Sequence, residues 1–201
     1  MDKRKDEIIE IAIRRFSHYG FAKTTMNEIA DDVGITKANL YYYYPDKTEL
    51  IKDVILSTSN QLIKEEKKLI EEYNGDFLGT LFAVLELRAV HMRKYYMLYI
   101  NENLDWLKGD AIACFIKDVE HEDFKLLFDL VSKSVNDGVL KLTDIEDSCR
   151  TFLDIIKGVT LTHTLRDIIR GIPNKDNVDS ILENQKKAAK LIFEERIVIN
   201  I

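Results

Sequence analysis

The stretch from Thr25 to Asp46 carries several helix start and stop signals in close succession, and these signals limit what the chain can fold into. Thr25 followed three residues later by Glu28 has the spacing of a capping box, in which the two residues bind each other's backbone N–H at a helix start. Gly34 can adopt the left-handed conformation that ends a helix and turns the chain sharply. The sequence therefore predicts a short helix over about 26–33 and then a tight turn.

A second short helix is predicted directly after this turn. Thr36 is a favourable N-cap for a helix that runs from Lys37 to about Tyr43. Pro45 stops this helix, because the residue before a proline is displaced from helical geometry. Asp46 can cap the helix that follows. Two short helices across a tight turn, with a further helix after them, are the layout of a helix-turn-helix that reads DNA.

The second helix also has side chains suited to DNA. Leu40 is expected to face inward, which leaves Lys37 and Asn39 on the surface. A lysine can donate to guanine O6 and N7, and an asparagine can pair with adenine N6 and N7. Tyrosine hydroxyls can reach phosphate oxygens.

Four consecutive tyrosines occupy positions 41–44. Packing of these rings in a small helical core is the alternative to DNA contact. We expect one or two of the rings, with Tyr41 and Tyr44 as the first candidates, to pack in this way under either interpretation. All four rings cannot face one core on a helix of 3.6 residues per turn. At least one ring must therefore be exposed.

These residues resemble the TetR-type transcriptional regulators, closely over about 8–50 and loosely beyond. The positions that match the family pattern are Phe16, Gly20, Phe21, Thr24, Thr25, Ile29, Ala30, Gly34, Ile35, Leu40, Tyr41, Tyr44 and Lys47. Two positions depart from it. Ala38 stands where many members have glycine, which we expect to alter base preference or approach distance, and Asn27 stands where a basic residue is frequent, which would weaken one contact.

The resemblance implies a role for each matching position. Thr25 and the start of its helix would touch phosphate, and the start of the second helix would face base edges. Lys47 would hold the DNA backbone, and a cation beside a helix N-terminus is unfavourable unless an anion lies between them. Composition alone would favour a solvated surface lysine, but the place of Lys47 in the family pattern favours the DNA contact. The predicted DNA contacts are Thr25, Asn27, Thr36, Lys37, Ala38, Asn39, Tyr41, Tyr42, Tyr43 and Lys47.

Composition favours an all-α fold. Only eight glycines and two prolines occur in 201 residues, whereas helix-forming residues are abundant. We predict an N-terminal three-helix helix-turn-helix DNA-binding domain over 1–47 and a larger helical ligand-binding and dimerisation domain over 48–201. Apolar periodicity continues without a linker to about Tyr73, so one long helix should connect the two. A further helix starting at Phe77 should kink near Lys94.

The net charge of −6 gives no support for DNA binding, and the first fifty residues also contain slightly more acidic than basic side chains. Local placement of the cations would have to supply the attraction. Binding should therefore be salt-sensitive and should depend on dimerisation for its affinity.

The helices near the carboxyl terminus suggest a homodimer. Apolar residues lie on nearly every side of the helix around 152–165, and small residues interrupt the apolar stripe of the last helix. An ordinary monomeric core is the alternative, and the family resemblance favours a twofold dimer with a four-helix interface. The predicted interface residues are Phe152, Ile156, Val159, Ile181, Leu182, Ala188, Ala189 and Ile192.

Rings and scattered polar groups occur together in the middle of the chain, as in a small-molecule cavity. Core packing is the alternative, because aromatic residues at helical spacing usually form a core. The cavity itself is implied by the resemblance. Candidate lining residues for an unidentified small-molecule effector are His91, Tyr95, Tyr96, Tyr99, Asn103 and Trp106, with Phe115, Phe128 and His163 as further walls.

Other function classes find little support. No phosphate-binding glycine loop, nucleophile elbow or HExxH helix occurs, so we expect no enzyme, cofactor or metal. The adjacent residues His121, Glu122 and Asp123 would point about 100° apart on a helix and would not converge on one ion. The charged start is no signal peptide, and no apolar run approaches the ~20 residues of a membrane span.

The sequence thus predicts a cytoplasmic, dimeric regulator that binds double-stranded DNA, with repression of a palindromic operator and release by an effector as its mode of action. The alternative is a helical adaptor that binds proteins through its exposed tyrosines. An adaptor has no need for Thr25, Lys37, Asn39 and Lys47 at their particular positions.

Overall fold

The computed structural model describes residues 3–99, 110–170 and 172–198, with the side chains of residue 99 and residues 110–116 outside the description. Within these ranges the chain is α-helical apart from its connections, one closing 3₁₀ turn and an isolated bridge between Leu140 and Ile197. This confirms the all-α prediction. The helices are α1 Lys3–Lys23, α2 Met26–Val33, α3 Lys37–Tyr43, α4 Lys47–Glu71, α5 Phe77–Lys94, α6 Tyr96–Tyr99, α7 Asp110–Asn136, α8 Ile145–Arg170 and α9 Asn177–Phe193.

The predicted start and stop signals form α2 and α3. Thr25 and Glu28 make both hydrogen bonds of the capping box, and Gly34 ends α2 with a left-handed φ of 73°. Thr36 caps α3, since its hydroxyl oxygen accepts from the N–H of Asn39. Asp46 caps α4 in the same way. These boundaries confirm the helix-turn-helix layout.

The amino-terminal unit, defined as α1–α3 with the first two turns of α4, has its own core. Each helix contributes a large side chain that is 0% exposed: Phe16 of α1, Ile29 of α2, Leu40 of α3 and Leu50 of α4. Val54 belongs to the same core. The first turns of α4 therefore pack in the core of the amino-terminal unit, and the rest of α4 packs against the helices that follow.

α1 bends at Gly20, which has φ 79° and ψ 169°. The buried Thr24 hydroxyl donates to the Gly20 carbonyl oxygen at 2.9 Å. Glycine is suited to this position because residues with a Cβ rarely adopt a positive φ. The bend lets the last turn of α1 place Phe21 against Phe16, with ring centroids 4.9 Å apart.

The remaining helices form a second, larger core around the lower part of α4. Its buried residues come from α5, α7, α8 and α9 and from the segments between them. The most buried are Phe77, Leu81, Leu85, Leu130, Val131, Leu140, Cys149, Phe152, Ala189 and Phe193. None of the described helices is long and apolar enough to cross a membrane.

The predicted break near Lys94 is present: α5 ends at Lys94, and the short α6 begins at Tyr96. α6 lies against α1. The methyl carbon of Met97 would be 3.2 Å from a Cβ built on Gly20, and Leu98 packs on the core of the amino-terminal unit. α6 therefore connects the larger unit to the bend in α1.

Candidate nucleic-acid interface and effector cavity

α3 presents an exposed polar and aromatic face. Lys37, Ala38, Asn39 and Tyr42 lie on its surface, whereas Leu40 is 0% exposed and fastens the helix to the core. Because α3 is capped at its start and anchored in its middle, these side chains project from a fixed backbone. A protruding helix of this kind can enter a major groove.

The four tyrosines divide between surface and core. Tyr42 is 82% exposed, and Tyr43 is half-buried against the core of the amino-terminal unit. Tyr44 is 2% exposed and its hydroxyl donates to Asp53 at 2.9 Å, so burial and the carboxylate raise the pKa of Tyr44. The core position expected for Tyr44 is confirmed. The one expected for Tyr41 is wrong, because this ring is 38% exposed and lies 5.7 Å from the Lys37 ammonium.

Thr25, Asn27 and Thr36 are exposed at the starts of α2 and α3. The Thr25 hydroxyl and backbone N–H both donate to a Glu28 carboxylate oxygen, at 2.9 and 2.8 Å. These hydrogen bonds lower the pKa of Glu28, and the Arg15 guanidinium, 3.3 Å away, contributes in the same direction. The Thr25 donors at the start of α2 are therefore already bound to the Glu28 carboxylate.

Lys47 has a structural partner that sequence reasoning missed. Its ammonium donates to the carbonyl oxygens of Phe21 at 2.8 Å and Thr24 at 3.0 Å, and burial lowers the pKa of Lys47. These two carbonyl oxygens partly offset the cation at the start of α4, so its position there does not by itself require an anion, and the DNA contact of Lys47 stays a prediction. An ammonium has three N–H donors, and these hydrogen bonds use two of them.

A cavity of about 500 Å³ lies between α4, α5, α6, α7, α8 and α9. Its volume is in the range of small-molecule sites. Two of the predicted lining residues, His91 and Tyr95, are on its wall. The predicted list missed Thr58, Ser59, Arg88, Asp123, Lys157, Thr160, Thr164 and Gln185, which supply most of the polar lining.

Three predicted lining residues lie elsewhere. Tyr96 is 0% exposed, and its hydroxyl donates to Asp167 at 2.6 Å; burial and this hydrogen bond raise the pKa of Tyr96 to about 12. Phe128 packs on Phe124 in the lower core. His163 contacts the side-chain amide of Asn184 at 3.2 Å. Helical spacing indicated that these positions were inward but could not say whether they would meet a cavity or a core.

The other predicted lining residues are outside what can be described. Tyr99 lies in α6 and Phe115 in α7, with side chains outside the description. Asn103 and Trp106 lie outside the described residues altogether.

Charged side chains connect three helices at the end of the cavity farther from the amino-terminal unit. Arg88 of α5 donates to both carboxylate oxygens of Glu66 in α4, at 2.6 and 3.0 Å, and to Asp123 of α7 at 3.2 Å. Glu66 is 1% exposed, and burial raises its pKa against the opposing effect of Arg88. Burial likewise lowers the pKa of His91, whose Nε2 lies 3.1 Å from the Thr58 carbonyl oxygen.

The predicted dimer residues are mostly turned toward the protomer's own core. Phe152, Ile156, Ile181 and Ala189 are between 0 and 4% exposed, so they have no surface to offer a partner. Their apolar periodicity reflects the protomer core, because a periodic stripe shows that a face is buried but not by what. Also packed partly against this core are Val159, Leu182, Ala188 and Ile192.

A different apolar face of α8 is exposed. Ile155, Leu161, Leu165 and Ile169 recur at spacings that place them on one side of the helix, and they are 39, 59, 47 and 75% exposed. Gly158 lies on the same side with nothing within 4 Å of a Cβ built on it. This face is available to a partner.

The amino-terminal unit matches known regulators in sequence. Residues 8–54 match the family model for bacterial regulatory proteins of the tetR family. Across 150 residues the chain is 24% identical to an uncharacterized HTH-type transcriptional regulator of Bacillus subtilis, YhgD, covering 71% of this chain and 75% of the relative. The HTH-type transcriptional repressor KstR2 of Mycobacterium tuberculosis is 21% identical over 148 residues, or 70% of this chain and 71% of that one.

The whole fold is similar to that of a solved regulator. The crystal structure of a transcriptional regulator from Cytophaga hutchinsonii aligns with a TM-score of 0.86 and 26% identity, covering 98% of this chain and 100% of the other. The similarity thus extends over both units of the molecule.

Proposed function

The chain belongs to the TetR family of bacterial transcriptional regulators, and we propose that it represses transcription from a palindromic operator as a homodimer that a small-molecule effector releases. The observation that carries the proposal is the exposed face of α3 on a capped and anchored helix. Such a regulator acts where the chromosomal DNA lies, in the cytoplasm.

On the operator, α3 of each protomer enters the major groove. Lys37 and Asn39 hydrogen-bond to base edges, and the close approach of the helix is set by Ala38. Tyr41 and Tyr42 contact the DNA backbone with their hydroxyls, supported by their exposure. The backbone contacts are completed by Thr25, Asn27, Thr36, Tyr43 and the remaining N–H of Lys47.

The dimer forms through the exposed apolar face of α8. Ile155, Leu161, Leu165 and Ile169 would otherwise leave a continuous apolar stripe in water. Packing against the same face of a second copy buries this stripe, and Gly158 permits close approach of the two helices. A twofold dimer places its two α3 helices on half-sites about one helical turn, ~10 bp, or a multiple of it apart.

Release follows from the position of the cavity. Tyr95 and Leu98 line it, and Leu98 also packs on the core of the amino-terminal unit. An effector that displaces these two side chains shifts α6 against the bend of α1 at Gly20. Because two α3 helices must match two half-sites at once, a small change in their separation weakens operator binding.

The proposal is tested by selecting bound duplexes from a random DNA pool with the purified protein at two salt concentrations. We expect one enriched palindrome whose binding weakens as salt rises. Asn60→Ala, at an exposed position of α4, serves as a control that keeps the same palindrome. A protein that enriches no sequence at low salt, while retaining its fold and its dimer, would refute the proposal and favour a protein-binding adaptor.

A further inference from the structure

The effector cavity has an apolar end and a polar end. Near the amino-terminal unit most of the wall is apolar and includes Ile55, Met92, Tyr95, Leu98, Ile168 and Val178, with His91 beside the Tyr95 ring. Arg88, Asp123, Lys157 and Gln185 lie toward the opposite end. A ligand that fills the cavity must therefore be largely apolar with a polar group at one end.

Most hydrogen-bond donors on the polar part of the wall bind other groups of the protein, although the one contact of Lys157 uses only one of its three N–H groups. The Arg88 guanidinium donates to Glu66 and Asp123, and the Lys157 ammonium pairs with Glu120 at 3.2 Å. The side-chain amide nitrogen of Gln185 donates to the Ile156 carbonyl oxygen and to Thr160 Oγ1, both at 3.1 Å. Its amide oxygen is an acceptor.

The lining threonines add further hydrogen-bond acceptors to the wall. The hydroxyls of Thr58, Thr160 and Thr164 each donate to a carbonyl oxygen of their own helix, at 3.0 Å. A hydroxyl that donates to its own helix still offers lone pairs as an acceptor. Ser59 and Tyr95 carry hydroxyls that can act in either sense. Among the described residues, the wall thus offers more acceptors than donors.

The charges around the polar end also favour a ligand group that donates hydrogen bonds. Three carboxylates, Glu66, Asp123 and Glu120, surround the two cations Arg88 and Lys157. His91, on the same wall, does not add a third cation near neutral pH, since burial and the nearby Lys94 lower its pKa. The five paired side chains at the polar end therefore carry one more negative than positive charge.

We propose that the effector is an apolar molecule bearing a protonated amine, bound with the amine beside Asp123 and with its apolar body against Tyr95 and Leu98. The amine supplies N–H donors for the acceptors that predominate on the wall, and the positive charge that its carboxylates favour. A ligand ending in a carboxylate would meet excess negative charge instead. This inference rests on the proposed function, since it takes the cavity to be the effector site.

Three probes with the same hydrocarbon chain separate these possibilities: decylamine, decanol and decanoate. Each is titrated into the full-length protein at pH 7 by isothermal titration calorimetry. We expect decylamine to bind about tenfold more tightly than decanol, the effect of one favourable charge interaction near a protein surface, and decanoate to bind most weakly. Equal binding of the three, tighter binding of decanoate, or binding of none would overturn the inference.

Two variants change the charge at the polar end in opposite directions. Asp123→Asn keeps the side chain's shape and should remove the advantage of decylamine over decanol. Lys157→Gln, at an exposed position, leaves Glu120 without its cation and should increase the affinity for decylamine several-fold. Asp129→Asn, at an exposed position of the same helix as Asp123, is the matched control and should leave all three affinities unchanged. Should Asp123→Asn fail to fold, Lys157→Gln decides alone.

Operator selection without any ligand keeps the two proposals apart. An enriched palindrome in a protein that does not prefer decylamine refutes the inference and leaves the regulator proposal standing. A preference for decylamine in a protein that enriches no DNA sequence refutes the proposed function and leaves the amine preference of the cavity standing. Decylamine, but not decanol at the same concentration, should weaken the operator complex.

Discussion

Lys47→Met tests whether the lysine at the start of α4 is a structural residue or only a DNA contact. Methionine keeps most of the unbranched stem but removes the ammonium. The carbonyl oxygens of Phe21 and Thr24, which accept from Lys47 at 2.8 and 3.0 Å, then lose a charged donor. Because these carbonyls lie where α1 ends and α2 begins, the change should loosen the helix-turn-helix even without DNA.

The expected magnitude follows from these two hydrogen bonds. A hydrogen bond to a charged group contributes about 1.5–3 kcal/mol when buried, and less when water can replace the donor. Lys47 is only partly buried, so we expect a loss of about 2 kcal/mol in the free energy of unfolding for the pair. For a chain of 201 residues this corresponds to a decrease in Tm of roughly 4–8 °C.

Thermal unfolding followed by circular dichroism measures this effect in the absence of DNA. Lys52→Met is the matched control, because Lys52 lies on the same helix and pairs only with Glu49 in a surface ion pair among the described contacts. Such pairs contribute about 0–1 kcal/mol. A Lys47→Met protein as stable as the Lys52→Met protein, but with weakened DNA binding, would refute the structural role and leave the phosphate contact alone.

The remaining predictions concern recognition, assembly and pH. Lys37→Ala and Asn39→Ala should each relax the sequence preference at one position per half-site, at a cost of about 1–3 kcal/mol on the operator, measured by titration against operator and mutated duplexes. Leu165→Glu should give a folded monomer by sedimentation velocity, because it places a charge in the exposed apolar face of α8. Burial lowers the pKa of His91, so the unfolded chain binds a proton there at a higher pH than the folded protein does. The free energy of unfolding should therefore fall as pH drops from about 7 to 5. His91→Gln should reduce this loss of stability in thermal melts.

Each of these has a result that contradicts it. Equal losses on operator and random DNA for Lys37→Ala and Asn39→Ala would remove their roles at base edges. A Leu165→Glu protein that remains a dimer would place the interface on another surface. An unchanged slope of stability against pH in the His91→Gln protein would assign the acid sensitivity to other groups.

Helix boundaries were predictable wherever the residues that set them lie within a few positions of one another in the sequence. The Thr25–Glu28 capping box, the left-handed Gly34 and the N-cap Thr36 all formed as predicted. Each depends on hydrogen bonds between residues three or four positions apart, or on the conformational freedom of a single residue. The exposed face of α3 was also predictable, because helical periodicity relates residues that are three or four positions apart.

The lining of the cavity and the exposure of the predicted interface residues were predicted less well. His91 and Tyr95 line the cavity, but Tyr96 reaches across to Asp167, 71 positions later in the chain. Phe152 and Ile156 have the apolar spacing of an interface but are buried in the protomer. Apolar spacing identifies the inward side of a helix and contains no information about which distant helix will cover it.

By itself, the sequence determined the all-α fold, the helix-turn-helix and the composition of the surface that α3 presents, because local hydrogen bonds and steric limits are properties of neighbouring residues. Only the tertiary structure decided that Lys47 is held by the end of α1, that Arg88 is shared between Glu66 and Asp123, and that a cavity opens between six helices. These features depend on how helices far apart in the chain pack together. The free energy of that packing is a sum over many contacts that no short segment contains.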